Sequence, residues 1–500
     1  MFVLAIVGFW QVALGARAAA VGEGTSADSF SAVRAHIQMV MEKEHMPSVS
    51  VAVARGGKIV WEQSFGWANR EKMIAATPNT MYSLASISKP FTATGVMRIV
   101  EQGKMELDRA INDYLGVGKL TGWAGDARGA TVRRVLSHTS GLPLHYQFFY
   151  QNAGYGPPST DITIARYGIL VNPPGEVYEY SNLGFGILGY VVARMSGLEY
   201  ADYMRTQVFL PLGLVRTSVG IGEGLEAYAA ERYDSGQRPL PFYTFDHLGA
   251  SAIYSSAHDL VRFGMFHLKD HLADQETILK DSTIDTMHQV ATPATPDRRG
   301  YGLGWGIEEN DNGYRRVSHE GGMPGVRTVL SLYPSEDIAI VVLTNCESNG
   351  VDDIAQQIAA ALLPKYAASL RATKPKLEEK PPTFQAAAEL LGKWAGTVRT
   401  WEKPVPITLF FQSDGDIHVK LGDDLETLLN EVRYNDGHLE GRFAGTIPTP
   451  DANRHRHTVL LNVHLRSGKL SGEATAQTTE DPVYYALTSF VELEQKAPGD

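Results

Sequence analysis

Apolar residues recur at three- and four-residue spacings at Phe30, Val33, Ile37 and Met41, which predicts one buried helix face over about residues 28–45. The pattern then shifts to two β-rich runs on either side of Arg55, Gly56, Gly57 and Lys58, a hairpin signal that starts an antiparallel sheet. From about Ile87 the helical period returns at Phe91, Val96, Met97 and Val100, and the mixed spacing predicts a helix buried on more than one side that stops near Gly103. Residues 183–195 predict another buried helix, closed by Gly197. Ser256, three residues ahead of Asp259, caps a further one. Residues 301–307, 315–322, 328–334 and 338–345 read as strand runs separated by turn residues, and a helix over 351–363 closes the unit. A stretch rich in Gly, Pro, Tyr and Asn, including residues 146–162, reads as a long loop.

Beyond that unit the composition turns to Lys, Glu and Pro (K-P-K-L-E-E-K-P-P), which reads as a linker over 366–384. No strong helical period follows. Residues 385–495 show alternating runs instead, with Val459, Leu461, Val463 and Leu465 on one face, and turn signals at 413–416, 435–437 and 467–468. About eight short strands joined by tight turns predict an all-β up-and-down barrel. The fold class expected is thus α+β: an antiparallel sheet flanked by helices over 24–365, then the barrel. Residues 1–20 form an apolar run shorter than the ~18 to 20 residues that span a bilayer, ending in small residues at 18–20. They read as a signal peptide and imply a secreted or periplasmic protein. No other stretch is apolar enough to span a membrane.

The net charge of −11, spread without long charge runs, argues against a nucleic-acid partner. Cys346 is the single cysteine, so no intrachain disulfide forms, and its apolar setting predicts a small buried hydrophobe. His267 and His271 lie four apart on a predicted helix, but Leu268 stands where a zinc-protease motif needs its glutamate, so both are read as solvated. Arg454, His455, Arg456 and His457 read as an exposed turn. The glycines of 302–306 follow no phosphate-loop spacing, and no cofactor or metal is expected.

Candidate chemistry centres on Ser86 and Lys89, an S-x-x-K pair at a predicted helix start. A spacing of three puts amine and hydroxyl on one face, and the helix N-terminus favours negative charge on the serine oxygen and a lowered lysine pKa. Serine catalysis also needs an oxyanion pocket and a group to protonate the leaving atom. Tyr180, ahead of its own helix, offers a phenol for proton transfer, and Asn182 an amide for the substrate. His319 lies on a strand whose Gly321 and Gly322 leave room for a substrate along the backbone. The N–H groups of Ser86 and Gly322 are candidates for the oxyanion pocket.

S-I-S-K at 86–89, Y-S-N at 180–182 and H-E-G at 319–321, in that order, resemble the penicillin-recognising serine hydrolases, as do S-H-T-S-G-L at 137–142 and Y-G-L-G-W-G at 301–306. That group includes class C β-lactamases, D-alanyl-D-alanine carboxypeptidases, D-aminopeptidases and family VIII esterases. The resemblance implies a β-lactamase-like α/β sandwich with Ser86 as the acylated nucleophile. It also implies proton transfer shared by Lys89 and Tyr180, Asn182 on the substrate amide, and His319 bonded to Tyr180 or to substrate. His138 is implied to hold a loop. The third motif departs from the Lys-Thr-Gly of most β-lactamases: a histidine that is mostly neutral at pH 7 and Glu320 serve a substrate carboxylate poorly. If it faces the cleft, Glu320 would suit a substrate ammonium group. The barrel resembles the lipocalin-like barrels behind the catalytic domain of some D-aminopeptidases and archaeal peptidases, where it limits access or builds oligomers. A homo-oligomer is therefore open, as is a plain packing role. The expected activity is hydrolysis of a small ester, amide or short peptide by an esterase or D-amino-acid peptidase. The alternatives are a β-lactamase or carboxypeptidase, and a non-catalytic ligand sensor.

Overall fold

The first helical period forms helix α1 (Ser31–Lys43), which buries Val33, Ile37 and Val40. The computed structural model describes residues 30–292, 299–372, 384–480 and 483–497, so the leader expected over 1–20 lies outside the described residues. After α1 the hairpin of β1 (Ser48–Arg55) and β2 (Lys58–Asn69) turns at Gly56 and Gly57, whose φ of +59° and +69° suit a primed two-residue turn. Every residue of β1 up to Ala54 is buried. A central strand covered by helices on both faces reads as a continuous apolar run rather than an alternating one.

Those helices are α2 (Ser88–Glu101) and α5 (Ala257–Leu268) on one side, and α1 with α6 (Gly350–Leu362) on the other. Between α2 and α5 in the chain come α3 (Asn182–Ser196), closed by Gly197 at φ +74°, and the short α4 (Leu248–Ser251). The sheet has eight antiparallel strands. After β3 (Ile74–Ala75) at one edge come several short strands that lie outside it, among them β4 (Tyr146–Tyr150) and β5 (Tyr243–Phe245). It is completed by β6 (Arg299–Tyr301), β7 (Gly306–Asp311), β8 (Tyr314–Met323), β9 (Val326–Tyr333) and β10 (Ile338–Thr344), in the order β6-β7-β8-β9-β10-β1-β2-β3.

Residues 301–307, expected as one strand run, are split by a turn between β6 and β7. There Gly304, at φ +85°, lies against the serine helix, and a Cβ on it would come within 2.5 Å of the Ala93 Cβ. Residues 146–162, expected as loop, contain β4, whose partners β5 and the last barrel strand are remote in sequence. The segment read as linker opens with helix α7 (Pro364–Ala372), which buries Tyr366 against Tyr333 of the sheet.

The C-terminal strands form an antiparallel meander: β11 (Gly392–Arg399), β12 (Pro404–Phe411), β13 (Ile417–Leu421), β14 (Thr427–Leu428), β15 (Asn430–Asn435), β16 (His438–Phe443), β17 (His457–Arg466), β18 (Lys469–Thr478) and β19 (Tyr485–Gln495). β11 pairs with β19, so the meander curls into a nearly closed barrel that, among the described residues, is left open between β14 and β15. Asp436–Gly437 and Ser467–Gly468 take positive φ in tight hairpin turns. Trp394, Leu409, Leu461 and Val491 fill the interior, each essentially inaccessible. Such burial contributes roughly 1.5–3 kcal/mol per large side chain. The barrel is not a detached module. The start of β19 pairs with β4, Tyr485 opposite Gln147 and Ala486 opposite Tyr146, which makes one continuous sheet of eleven strands.

Candidate active site

The chain enters the site through Ala85 at φ +48° and a 3-10 turn, Ala85–Ile87, directly ahead of α2. This break in regular backbone lifts Ser86 out of the helix and leaves it partly exposed. The turn is held from both sides: Leu84 N–H donates to Ile253 O at 2.8 Å, and Thr328 Oγ1 donates to Leu84 O at 3.0 Å. Strand β8 passes so close that a Cβ at Gly321 would sit 2.2 Å from Leu84 O. Only glycine fits there.

Lys89, one helical turn on, is fully buried. Its Nζ lies 3.0 Å from Ser86 Oγ, 2.8 Å from Asn182 Oδ1 and 3.2 Å from Ala250 O, and 4.7 Å from the centre of the Tyr180 ring. Burial pushes its pKa well below that of a free lysine. The lowering expected from the helix dipole is thus assigned to desolvation. A neutral amine beside a serine hydroxyl is a proton acceptor, and the three oxygens around it would receive the ammonium it becomes.

Tyr180 is raised above the usual phenol range by burial, which a hydrogen bond with Ser86 offsets in part. Its loop is fixed by His138, a residue at φ +58°: Ser181 N–H donates to His138 Nδ1 at 3.0 Å, and Glu179 N–H to His138 O at 2.8 Å. Ser181 Oγ then caps α3 by accepting from Gly184 N–H. Asn182, at the first turn of α3, is placed with its oxygen on Lys89.

His319 does not bond Tyr180, one of its two expected partners. Its Nε2 pairs with Tyr301 OH at 2.9 Å, and Nδ1 lies 2.7 Å from Glu320 O, so the ring is bonded to Tyr301 rather than to Tyr180. Burial, then the charge of Lys89, pushes its pKa to about 3 and keeps the imidazole neutral. Glu320 accepts from Arg327 at 3.0 Å, and the same guanidinium donates to Asp352 at 2.7 Å. Its carboxylate is therefore shared with arginine rather than free for an ammonium group. Away from the site, His267 is not solvated: it is buried, bonded to Thr94 at 3.0 Å and packed on Trp305. His271 is exposed beside Asp281.

Ser86, Tyr180, Gly322 and Arg327 lie at the junction of two cavities, one of about 620 Å³ and one of about 380 Å³. His319 and Glu320 line the smaller. The larger adds Asn182, His247 and Ser251, and an aromatic wall of Tyr146, Phe148 and Tyr484. Tyr484, from the segment leading into β19, accepts the Phe148 N–H at 3.1 Å, so the C-terminal barrel supplies part of the wall. Sequence reasoning missed this wall and the Ala250 carbonyl, because neither carries a motif and both reach Ser86 only through tertiary contacts. Among the described residues no group of three or more His, Cys, Asp or Glu side chains is placed to hold a metal ion, and no helix is long and apolar enough to cross a membrane.

Residues 33–364 match the family described as Beta-lactamase. Penicillin-binding protein 4* of Bacillus subtilis (strain 168) is 28% identical over 342 residues, which cover 63% of this chain and 72% of that protein. Protein flp of Staphylococcus aureus (strain NCTC 8325 / PS 47) is 24% identical over 336 residues, 66% of each chain, just under two thirds of its length. Among solved structures, a class C beta-lactamase aligns with 71% of this chain at 20% identity and a TM-score of 0.59, covering 99% of that structure. Two alignments take in the barrel as well, each covering 93% of this chain and 99% of the other. They are the octameric penicillin-binding protein homologue from Pyrococcus abyssi (20% identity, TM-score 0.56) and SurE solved with D-Leu (21% identity, TM-score 0.60). At these identities the solved structures establish the shared fold.

Proposed function

The chain belongs to the beta-lactamase family of serine hydrolases, and from that premise we propose that it cleaves a small ester or amide through an acyl-enzyme on Ser86. The observation that carries the reading is the buried Lys89 amine, 3.0 Å from Ser86 Oγ with its pKa pushed down. Ser86 Oγ attacks the substrate carbonyl while its proton passes to Lys89 Nζ. The carbonyl oxygen takes the negative charge between the N–H groups of Ser86 and Gly322. As the tetrahedral intermediate collapses, the proton moves through Tyr180 to the leaving oxygen or nitrogen. Water then attacks the acyl carbonyl, gives its proton to the same relay, and releases the acid and Ser86. Asn182 holds Lys89 and the substrate amide, and the neutral His319 orients Tyr301 on the strand side of the cleft.

Within that chemistry we favour an esterase or D-amino-acid peptidase over a β-lactamase or carboxypeptidase. A substrate carboxylate gains little from neutral His319 and negative Glu320, and the Arg327 charge is already divided between Glu320 and Asp352. SurE was solved with D-Leu, a D-amino acid, which supports the peptidase branch, and the octameric homologue supports a homo-oligomer. Export rests on the apolar leader in residues 1–20.

The test is hydrolysis of a short-chain p-nitrophenyl ester, a D-alanine p-nitroanilide and a cephalosporin by the wild type, Ser86→Ala and Lys89→Met, with intact-mass analysis of each mixture. Expected is turnover of the ester or anilide above the cephalosporin, none in Ser86→Ala, and a fall of ~10²- to 10⁴-fold in Lys89→Met, the usual worth of a general base. Undiminished turnover in Ser86→Ala would refute the nucleophile. A cephalosporin preference would reverse the choice of substrate.

A further inference from the structure

The three oxygens around the Lys89 amine, on Ser86, Asn182 and Ala250, are all uncharged. The titratable groups beside it carry no charge at neutral pH either, because burial lowers His138, His247 and His319 and raises Tyr180. An ammonium formed there is therefore stabilised chiefly by these oxygens, and a displacement of Asn182 or Ala250 changes how readily the amine takes a proton. What holds those two acceptors in place lies behind them.

The Asn182 N–H donates to Leu144 O at 2.9 Å, and His145 follows directly. Ala250 belongs to α4, where its own N–H donates to His247 O at 2.9 Å. Strands β4 and β5 pair as far as Phe148 opposite Phe245, and past that point the Asp246 carboxylate continues the connection. Its Oδ2 lies 2.9 Å from His145 Nε2 and its Oδ1 2.7 Å from His247 Nδ1. All three side chains are buried. Burial raises Asp246, yet the two histidines hold its pKa below the usual carboxylate range, so the carboxylate only accepts and each facing ring nitrogen donates. One carboxylate thus ties the segment behind Asn182 to the segment that carries Ala250. The tie has little room to move. Helix α3, which starts at Asn182, comes so close that a Cβ on Gly186 would sit 2.7 Å from His247 Cα, and one on Gly249 2.3 Å from Phe185 O. From the other side Tyr167, whose hydroxyl is bonded to Asp451 of the barrel, packs its ring 4.6 Å from that of His145.

We propose that Asp246 is a positioning residue for the base: by clamping His145 to His247 it holds Asn182 Oδ1 and Ala250 O at Lys89 Nζ, and so sets how readily Ser86 gives up its proton. The inference rests on the acyl-enzyme reading with Lys89 as base. It gives a part in that step to a carboxylate that lines neither cavity around Ser86. Without the clamp the two acceptors draw back, the ammonium is less favoured relative to the amine, and proton transfer slows. Loss of a hydrogen bond to a charged donor is worth about 10- to 100-fold.

The test is single-turnover acylation by a short-chain p-nitrophenyl ester with the enzyme in excess, comparing the wild type with Asp246→Leu, His145→Leu, His145→Gln and Lys89→Met. The limiting rate constant at saturating enzyme does not depend on the fraction of protein that is active, whereas the concentration at half saturation does. Expected in Asp246→Leu and His145→Leu is a limiting rate constant about 10- to 100-fold lower with half saturation unchanged. In His145→Gln an amide N–H can replace the Nε2–H, and the rate constant should return to within about threefold of the wild type. A rate constant in Asp246→Leu that stays within threefold of the wild type would overturn the proposal. So would a change in half saturation alone, the mark of a merely structural role, or a His145→Gln no better than His145→Leu. Should Asp246→Leu not fold, His145→Leu, which removes one arm and leaves the carboxylate on His247, gives the same comparison. Lys89→Met separates the two levels of failure: if it is slowed while Asp246→Leu is not, only this inference falls, whereas undiminished acylation in Lys89→Met removes the base itself.

Discussion

Replacing Glu179 by Gln tests whether the barrel and the Tyr180 loop share a buried acidic contact. Glu179 directly precedes Tyr180, and burial, then the charge of Glu440, raises its pKa from 4.5 to about 7. Glu473 of β18 is more deeply buried and is pushed well up by burial and by Glu179, while its Oε1 accepts only a long bond from Asn462 at 3.4 Å. The cationic candidates nearby do not neutralise the pair. His438 bonds Asn462, His464 stacked on it at 4.2 Å is lowered to about 4 by burial, and Arg466 is committed to Glu176 and Asn172. An acid that keeps its proton to higher pH in the folded state binds more protons there than when unfolded, so its contribution to stability is lost as pH rises from 4.5 through 7. The difference of about 2.5 units at 1.36 kcal/mol each is about 3 kcal/mol, and the partial exposure of Glu179 trims it to about 2 kcal/mol. Glutamine imitates the protonated acid at every pH. Urea unfolding followed by tryptophan fluorescence should give nearly equal midpoints for the wild type and Glu179→Gln at pH 5, and a variant about 2 kcal/mol more stable at pH 8. A difference that does not change between pH 5 and pH 8 would refute the buried acidic contact.

Two further substitutions probe how the site is assembled. Gly321→Ala would drive a methyl group against the Leu84 carbonyl and Thr328 Oγ1, backbone and a bonded hydroxyl that cannot both yield. It should cost roughly 1–3 kcal/mol of stability by thermal or urea unfolding and lower kcat through displacement of the Ser86 turn, and an unchanged kcat would disprove the tight approach of β8. Tyr484→Ala removes the aromatic contributed beside β19 while its carbonyl can still accept from Phe148. KM for substrates with bulky acyl groups should change several-fold with kcat for a small acetyl ester preserved, whereas identical constants for all substrates would place Tyr484 outside the substrate's reach.

The elements that sequence made legible are those whose determinants lie close together in the chain. The three- and four-residue spacing of α1, α2 and α3, the Gly56–Gly57 turn and the Ser256 cap each need only a few neighbouring residues to specify their conformation. Ser86 and Lys89 belong to this class, being one turn apart on a single helix. His319 shows where that locality ends. Its place on a strand beside the cleft was readable, but its partner was not: the turn at 302–305 swings Tyr301 across β7, so a phenol from the next strand but one takes the imidazole. His267 was misread for a similar reason. Four-residue spacing says which helix face it shares, and only the packing of α5 on Trp305 and Thr94 makes that face interior.

The wall of the larger cavity marks the same limit at its longest range. Tyr146 and Phe148 sit in a stretch rich in turn residues, with too few positions to announce a strand on their own, and they become one because β5 and β19 lie on either side of them. Pairing Tyr146 with Ala486 closes a loop of several hundred residues. The entropy of such closure grows only slowly with length, so the contact is affordable once both domains have folded, although nothing local predicts it. The consequence is functional. A hydrolase whose nucleophile and base are set by one helix has part of its cavity built by the far end of the chain. Changes at the β4–β19 seam should therefore alter which substrates enter without touching the distance from Lys89 Nζ to Ser86 Oγ.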